Sequence, residues 1–105
     1  MAFCIVYITH ADENQARSLS KKIVQEKLAA CANLFPIQSA FMWEGTLNQE
    51  DEFVSILKTT LEKWEALQAR VIELHPYEVP CVMKIEVEAN ESYEKWIRDS
   101  VLPES

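Results

Sequence analysis

One short segment concentrates side chains that can take part in chemistry: residues 73–80 read ELHPYEVP. It holds the imidazole of His75, the phenol of Tyr77 and the carboxylate of Glu78 between two prolines. Imidazole binds copper, zinc or nickel and also acts as a general base, but one nitrogen holds a metal weakly unless other ligands converge. Three interpretations stay open: a metal ligand, a reactive site, or a stiff corner in which His75 favours the negative end of a helix.

The cysteines are candidate partners for that imidazole. Cys4, Cys31 and Cys81 are far apart and form no CxxC pair of the kind used for zinc or redox chemistry. Each lies among apolar residues, where a free cysteine behaves as a small buried hydrophobe. Cys31 and Cys81 nevertheless stay open, with Glu78, as further metal ligands beside His75. His10 is a second metal candidate; we expect it in the loop after the first strand, where the alternative is a solvated side chain.

A second group of side chains is suited to a pocket or an interface. Lys58 lies beside apolar strand residues, where an unpaired ammonium is costly, so we expect Glu44, Glu78 or an anionic ligand next to it. The alternative is a lysine that extends its charge to solvent from the end of a strand. The aromatic candidates for the same pocket are Trp43, Tyr77 and Trp64. Their spacing also fits ordinary core or interface packing.

Composition narrows the class of protein. The chain has 105 residues, 49% hydrophobic and 26% charged, which predicts a single folded domain over 1–105. Its net charge of −7, with no basic cluster, argues against a nucleic-acid or anionic-membrane partner. The N-terminal segment has no basic region before its short apolar run, and no apolar stretch is long enough to span a bilayer. We therefore expect a cytoplasmic protein with reduced thiols.

The first half of the chain predicts a strand, a helix and an edge strand. Residues 2–9 form an unbroken apolar run, typical of a strand buried on both faces. Asp12 with Gln15 resembles a capping box, and apolar residues at helical spacing predict a helix over 13–29. Residues 34–43 favour a strand whose proline cannot donate to a ladder, which predicts an edge strand or a bulge.

The middle of the chain predicts a turn, a strand and a second helix. Residues 44–48 contain the only glycine and predict a turn, and 52–60 predict a strand. Thr59 with Glu62 resembles a capping box that opens the helix. That helix is expected to end at Pro76, which leaves the preceding histidine in its last turn.

The C-terminal part predicts a strand with one buried face over 79–87 and a short helix capped by Asn90. Tyr93, Trp96 and Ile97 are expected to face inward from that helix. The resulting order, βαββαβ plus a terminal helix, predicts an α+β fold of the ferredoxin-like type, with strands one and three central and both long helices on one face. The other face then has no cover, although strand one is apolar on both sides, which predicts an oligomer.

Several segments, in order and at the same spacing, resemble the CutA divalent-cation-tolerance family across nearly the whole chain. They are YIT at 7–9 with DE at 12–13, EKLAACAN at 26–33, WEG at 43–45, KTT at 58–60 and HPYEVP at 75–80. The resemblance implies a small homotrimer of ferredoxin-like subunits, related in architecture to PII signalling proteins. It also implies a link to tolerance of copper and other divalent metals.

The chain departs from the family at positions proposed to bind copper in some bacterial members. Ile8 stands where those members have a cysteine, and Leu74 stands where some have a histidine. Cys81 replaces an acid that many members carry directly after the HPYEVP segment. The resemblance therefore implies weak binding of copper or another divalent cation, with His75 as the remaining contact.

Three functions follow from these observations. The first is a homotrimeric, copper-binding protein of metal tolerance or homeostasis. The second is a PII-like signalling module in which an intersubunit cleft lined by Trp43, Lys58, His75 and Tyr77 binds a small anion. The third is an enzyme with His75 as general base and Glu78 as its orienting group; we do not expect one, because the chain has no nucleophile elbow, phosphate loop or paired metal motif.

Overall fold

The computed structural model describes residues 2–102, so the ends of the expected 1–105 domain, residues 1 and 103–105, lie outside the described part. Four strands form one antiparallel sheet, in the spatial order 31–43, 46–59, 3–10 and 82–87. The first and third strands of the chain are central, which confirms the ferredoxin-like arrangement. The elements are β1 (Phe3–His10), α1 (Glu13–Gln25), β2 (Cys31–Trp43), β3 (Thr46–Thr59), a 3₁₀ turn (Leu61–Lys63), α2 (Trp64–Leu74), β4 (Val82–Val87) and α3 (Glu91–Ser100).

The two faces of β1 differ in burial. Cys4, Val6 and Ile8 are buried, and they join residues of α1 and α2 in the hydrophobic core. The alternate residues, such as Ile5 and Tyr7, are only partly buried. The expectation of a strand buried on both faces therefore holds for the helix-covered face and not for the second face of this single chain.

The second face of the sheet exposes apolar side chains. Tyr7 pairs with Ile56 on β3 and with Met83 on β4, which places the three side chains on one side of the sheet. Met83 is 47% exposed and its β4 neighbour on the same side, Ile85, is 49% exposed. The predicted buried face of the fourth strand is therefore wrong for the isolated chain, because that face points away from α1 and α2.

The C-terminal helix covers one end of this second face, which was expected to be uncovered. The ring of Tyr93 lies 6.2 Å from that of Phe3 in an edge-to-face contact, and the Lys58 ammonium lies 5.6 Å from its centroid. Ile97 is buried as predicted, but Trp96 is 47% exposed, contrary to the inward orientation expected for it. The remaining part of the face stays open in one chain.

The β2–β3 hairpin is longer than predicted. β2 begins at Cys31, and β3 begins at Thr46 because the turn consists only of Glu44 (φ 50°) and Gly45 (φ 79°). Two successive positive φ angles are typical of the two-residue turns that match the twist of paired strands. Pro36 lies in β2, an edge strand, as its missing N–H predicts.

Half of this hairpin extends beyond the body of the fold. β1 pairs with residues 53–59 of β3, whereas 46–52 pair only with β2. The molecule is 49 Å long and 25 × 21 Å across, and its radius of gyration of 14.5 Å exceeds the roughly 13 Å of a compact domain of this length. The projecting segment therefore presents both of its faces outside the core.

The ends of the helices explain two further differences from prediction. Asp12 caps α1 as expected, accepting the Gln15 N–H at 2.8 Å, but α1 ends at Gln25 because Lys27 adopts φ 60°. The second capping box does not form: Thr59 belongs to β3 and its hydroxyl donates to the Leu28 carbonyl at 2.7 Å.

Within residues 2–102, none of the helices combines the length and apolar character needed to cross a membrane.

Candidate functional site

His75 closes α2 and lies under the proline-bounded corner. Its N–H donates to the Val71 carbonyl at 2.8 Å, and its backbone is then extended (φ −80°, ψ 130°), as expected for a residue before proline. Its ring is nearly buried. Nε2 donates to the Thr9 carbonyl at 2.7 Å, and Nδ1 accepts the Tyr77 N–H at 3.2 Å. Both ring nitrogens are thus engaged within the chain, and the longer bond leaves Nδ1 as the more weakly held.

His10 is not the solvated loop residue that the sequence suggested. It is the last residue of β1, its side chain is 0% exposed, and its Nε2 lies 2.7 Å from the Ser55 hydroxyl oxygen. Nδ1 is buried, and none of residues 2–102 forms a hydrogen bond with it. Burial, followed by the nearby His75 ring, lowers the pKa of His10 to about 4. The period-two pattern of β1, extended by one residue, is the signal that would have identified it as buried.

Tyr77 joins the corner to the hairpin. Its hydroxyl donates to a carboxylate oxygen of Glu52 at 2.7 Å, and its ring meets that of His75 edge-to-face with centroids 4.6 Å apart. Burial, and then the Glu52 carboxylate, raise the pKa of Tyr77 well above its ordinary value. Sequence reasoning missed Glu52, which is only 7% exposed. Its signal was an acid two residues before Val54, on the same side of the strand.

These contacts form the rim of a hollow, here called the corner hollow, of about 540 Å³. Strand pairing explains its lining: Phe41 lies opposite Asn48 and Trp43 opposite Thr46, so both aromatic side chains share a face with Glu50 and Glu52. Residues 77–79, in the proline-bounded corner, line the side of the hollow opposite the hairpin. The aromatic and acidic residues of its lining are Phe41, Trp43, Tyr77, Glu50, Glu52 and Glu78.

The structure brings together three of the predicted pocket residues, Trp43, Tyr77 and Glu78, and places His75 directly behind Tyr77. Glu44 lies in the exposed hairpin turn, beyond the residues that line the hollow. Trp64 lies in α2, where its ring faces the Lys84 ammonium at 5.7 Å.

Lys58 and Cys31 lie elsewhere in the chain. Lys58 is six residues along β3 from Glu52, or about 20 Å. Instead of the expected Glu44 or Glu78, the Lys58 ammonium donates to the Asn33 side-chain carbonyl at 2.7 Å and faces the Tyr93 ring. The Cys31 sulfur lies 3.7 Å from the Tyr93 hydroxyl. One chain therefore does not combine these residues with the corner.

Candidate metal ligands do not converge within the described part of the chain. Among residues 2–102, no three or more histidine, cysteine, aspartate or glutamate side chains are grouped so that they could hold a metal ion. Burial, and then Glu52, raise the pKa of the Cys81 thiol, which disfavours the thiolate that metals prefer. The donor set of a single chain therefore does not fit a closed metal site. Tight ligation would require further ligands from outside the chain.

Known proteins share this fold and sequence pattern. The chain is 43% identical over 94 residues to the divalent-cation tolerance protein CutA of Pyrococcus horikoshii, covering 89% of this chain and 92% of that protein. It is 38% identical over 99 residues to the protein of the same name from Thermotoga maritima, covering 93% and 98%. The structure of the periplasmic divalent cation tolerance protein CutA from Archaeoglobus fulgidus superposes with a TM-score of 0.91 at 36% identity, covering 97% of this chain and 100% of that one.

These relatives are named as tolerance proteins and not as enzymes. The sequence model of the CutA1 divalent ion tolerance protein family matches residues 4–100, nearly the whole of this chain. The chain therefore belongs to the CutA1 divalent ion tolerance family.

Proposed function

We propose that this protein acts in divalent-cation tolerance as a homotrimer that binds copper or another divalent cation weakly, with His75 as the protein contact. The proposed metal contact rests on the weak hydrogen bonding of His75 Nδ1. Its lone pair accepts only the 3.2 Å bond from the Tyr77 N–H, so a cation can compete for it. With Ile8 and Leu74 in place of two further ligands, the remaining coordination is sparse, and sparse coordination means low affinity.

Exposed apolar surface supports self-assembly. Met83 and Ile85 are half exposed on the second sheet face, and Phe35 is 37% exposed on the same face. Apolar side chains gathered on one face in this way are typical of interaction surfaces. From the family membership of the chain we extend the proposal to a homotrimer with an architecture related to that of PII proteins. A neighbouring subunit is then the simplest source of additional metal ligands.

Free thiols support a cytoplasmic location. Cys4, Cys31 and Cys81 are all unpaired, and free cysteines persist in reducing compartments. Separation of cell compartments followed by antibody detection tests this location directly. Recovery of the protein outside the cytoplasmic fraction contradicts it.

An anion is a poor fit to the corner hollow. Glu50, Glu52 and Glu78 contribute negative charge to its lining, whereas Lys58, the cation expected to attract an anionic ligand, lies at the other end of β3. The PII-like alternative, a small anion bound beside Trp43 and Tyr77, therefore gains no support from one chain.

Isothermal titration with copper and zinc tests the metal proposal. We expect weak binding to the wild type and loss of most of it in His75→Ala and His75→Gln, the glutamine keeping a polar side chain at the helix end. Trp96→Leu serves as the control, because it alters an exposed side chain of α3 and leaves the imidazole and the thiols intact. Equal copper binding by the wild type and His75→Gln would contradict the assignment, and light scattering on the same samples reports whether three subunits are present.

A further inference from the structure

We propose that His10 is a positioning residue for the metal contact: its ring holds the imidazole of His75 in the one orientation that offers Nδ1 to a cation. The proposal rests on the proposed function, in which His75 contacts the metal, and it assigns a role to a second histidine that does not touch the metal. Hydrogen bonds, ring geometry and burial of the pair support it.

The backbone groups around His75 select one tautomer of its ring. A carbonyl oxygen can only accept a hydrogen bond, so the 2.7 Å contact between Nε2 and the Thr9 oxygen places the proton on Nε2. The Tyr77 N–H can only donate, so Nδ1 keeps its lone pair. Metal-binding histidines are commonly oriented by such a hydrogen bond from their other nitrogen. Thr9 therefore determines which nitrogen is available.

The His10 ring restricts rotation of the His75 ring. A half-turn of an imidazole about its bond to Cβ exchanges each nitrogen with a carbon, which would remove Nδ1 from its position. The two histidine rings lie nearly parallel, with centroids 5.5 Å apart and planes inclined by 21°. Tyr77 adds an edge-to-face contact at 4.6 Å. Because a flat ring lies along its face, the His75 imidazole cannot turn without displacing His10.

His10 is itself firmly held. It ends β1, and its Nε2 lies 2.7 Å from the hydroxyl oxygen of Ser55 on the neighbouring strand β3. Its buried Nδ1 forms no hydrogen bond with residues 2–102, which makes histidine a costly choice for packing alone. The bond to Ser55 fixes the plane of the ring, which a hydrocarbon side chain could not do by hydrogen bonding. The end of β1 thus supplies both the Thr9 acceptor and the ring that lies along His75.

Self-association through the open sheet face leaves this pair unchanged. His10 shares the helix-covered face of β1 with Val6 and Ile8, because alternate residues of a strand point to the same side. His10 is 0% exposed and His75 only 7% exposed within one chain. Their contact is therefore a property of the subunit and not of a surface that another subunit would cover.

Two variants isolate the contribution of the flat ring. His10→Phe and His10→Leu both remove the ring nitrogens and the bond to Ser55, but only phenylalanine keeps a planar group along His75. Nitrogen-15 NMR of the metal-free full chain at pH 8 should show the proton on Nε2 of His75 in the wild type and in His10→Phe. His10→Leu should show a mixture of the two tautomers, with a circular dichroism spectrum like that of the wild type.

Zinc titration by calorimetry measures the consequence for binding. The wild type and His10→Phe should bind alike, and His10→Leu should bind roughly tenfold more weakly, as for other residues that orient a metal ligand. Rescue by phenylalanine, which has no nitrogen, distinguishes positioning from ligation by His10.

A mixture of His75 tautomers in the wild type overturns the proposal, and so do equal spectra and equal zinc affinities for His10→Phe and His10→Leu. Zinc binding lost in both variants also overturns it, because a nitrogen of His10 would then be required. If the wild type binds no zinc, the proposed function fails, whereas the His75 spectra of the metal-free variants still decide whether His10 positions the ring.

Discussion

The rings of His10 and His75 lie stacked, with their centroids 5.5 Å apart and their planes inclined by 21°. One ring is held by the Ser55 hydroxyl and the other by the Thr9 carbonyl and the Tyr77 N–H. The pair thus joins the end of β1 to the end of α2, beneath the corner. Protonation of His10 would place a cation in a buried site, beside a second imidazole and with Nδ1 lacking an acceptor.

Acid should destabilise the fold through His10. Its pKa falls from 6.5 to about 4 in the folded state, so between these values the unfolded chain binds more protons. Stability is therefore fully retained above about pH 6.5 and declines as the pH approaches 4, by up to about 3 kcal/mol from this group. Urea denaturation at pH 7.0, 6.0 and 5.0 measures the decline, with His10→Gln as the variant that cannot titrate. Identical pH dependence in the two proteins would refute this origin.

Loss of the Tyr77 hydroxyl should destabilise the hairpin base. Tyr77→Phe removes the 2.7 Å bond to the buried Glu52 carboxylate, and an unsatisfied buried acceptor costs about 1–3 kcal/mol. Tyr93→Phe is the matched control. Among the described residues, the Tyr93 hydroxyl has only a 3.7 Å contact with the Cys31 sulfur, so its removal should cost much less. Chemical denaturation of both variants gives the comparison. Equal losses of unfolding free energy in the two variants would show that the Tyr77–Glu52 hydrogen bond stabilises the fold no more than the Tyr93 contact does.

Charge on the open sheet face should prevent assembly. Met83→Glu and Ile85→Glu place carboxylates on a surface that self-association would bury, and burial of unpaired charge is unfavourable. Each should shift the protein from the proposed trimer to the monomer in size-exclusion chromatography with light scattering. Ile72→Glu, at a position 49% exposed on α2, is the control expected to stay assembled. Assembly of the Met83 and Ile85 variants would place the interface elsewhere.

The hairpin turn should tolerate asparagine better than alanine at Gly45. The φ of this residue is 79°, and an added Cβ meets nothing within 4 Å, so any cost comes from the backbone alone. Alanine in the left-handed region costs about 1–2 kcal/mol, whereas asparagine visits that region more readily. Thermal unfolding should therefore rank the glycine first, Gly45→Asn second and Gly45→Ala last. An unchanged midpoint for Gly45→Ala would mean that the turn adopts another geometry.

The sequence by itself determined the elements and the family. Period-two and helical spacing of apolar residues predicted the βαββαβ order, and the Asp12 cap, the edge position of Pro36 and the end of α2 before Pro76 follow from local backbone chemistry. Element boundaries were less well predicted. Lys27 and Glu44 adopt positive φ angles, which lysine and glutamate residues do not predict. As a result, α1 is shorter and β3 is longer than expected.

Only the tertiary structure decided which side chains meet. Tyr77 and Glu52 are 25 residues apart, and the pairing of β2 with β3 determines that Glu52 shares a face with Trp43. The position of α3 on the second sheet face decided that Lys58 contacts Tyr93 instead of a carboxylate. Such contacts depend on strand register and on the placement of whole elements. These are set by burial summed over the entire core, which no local pattern encodes.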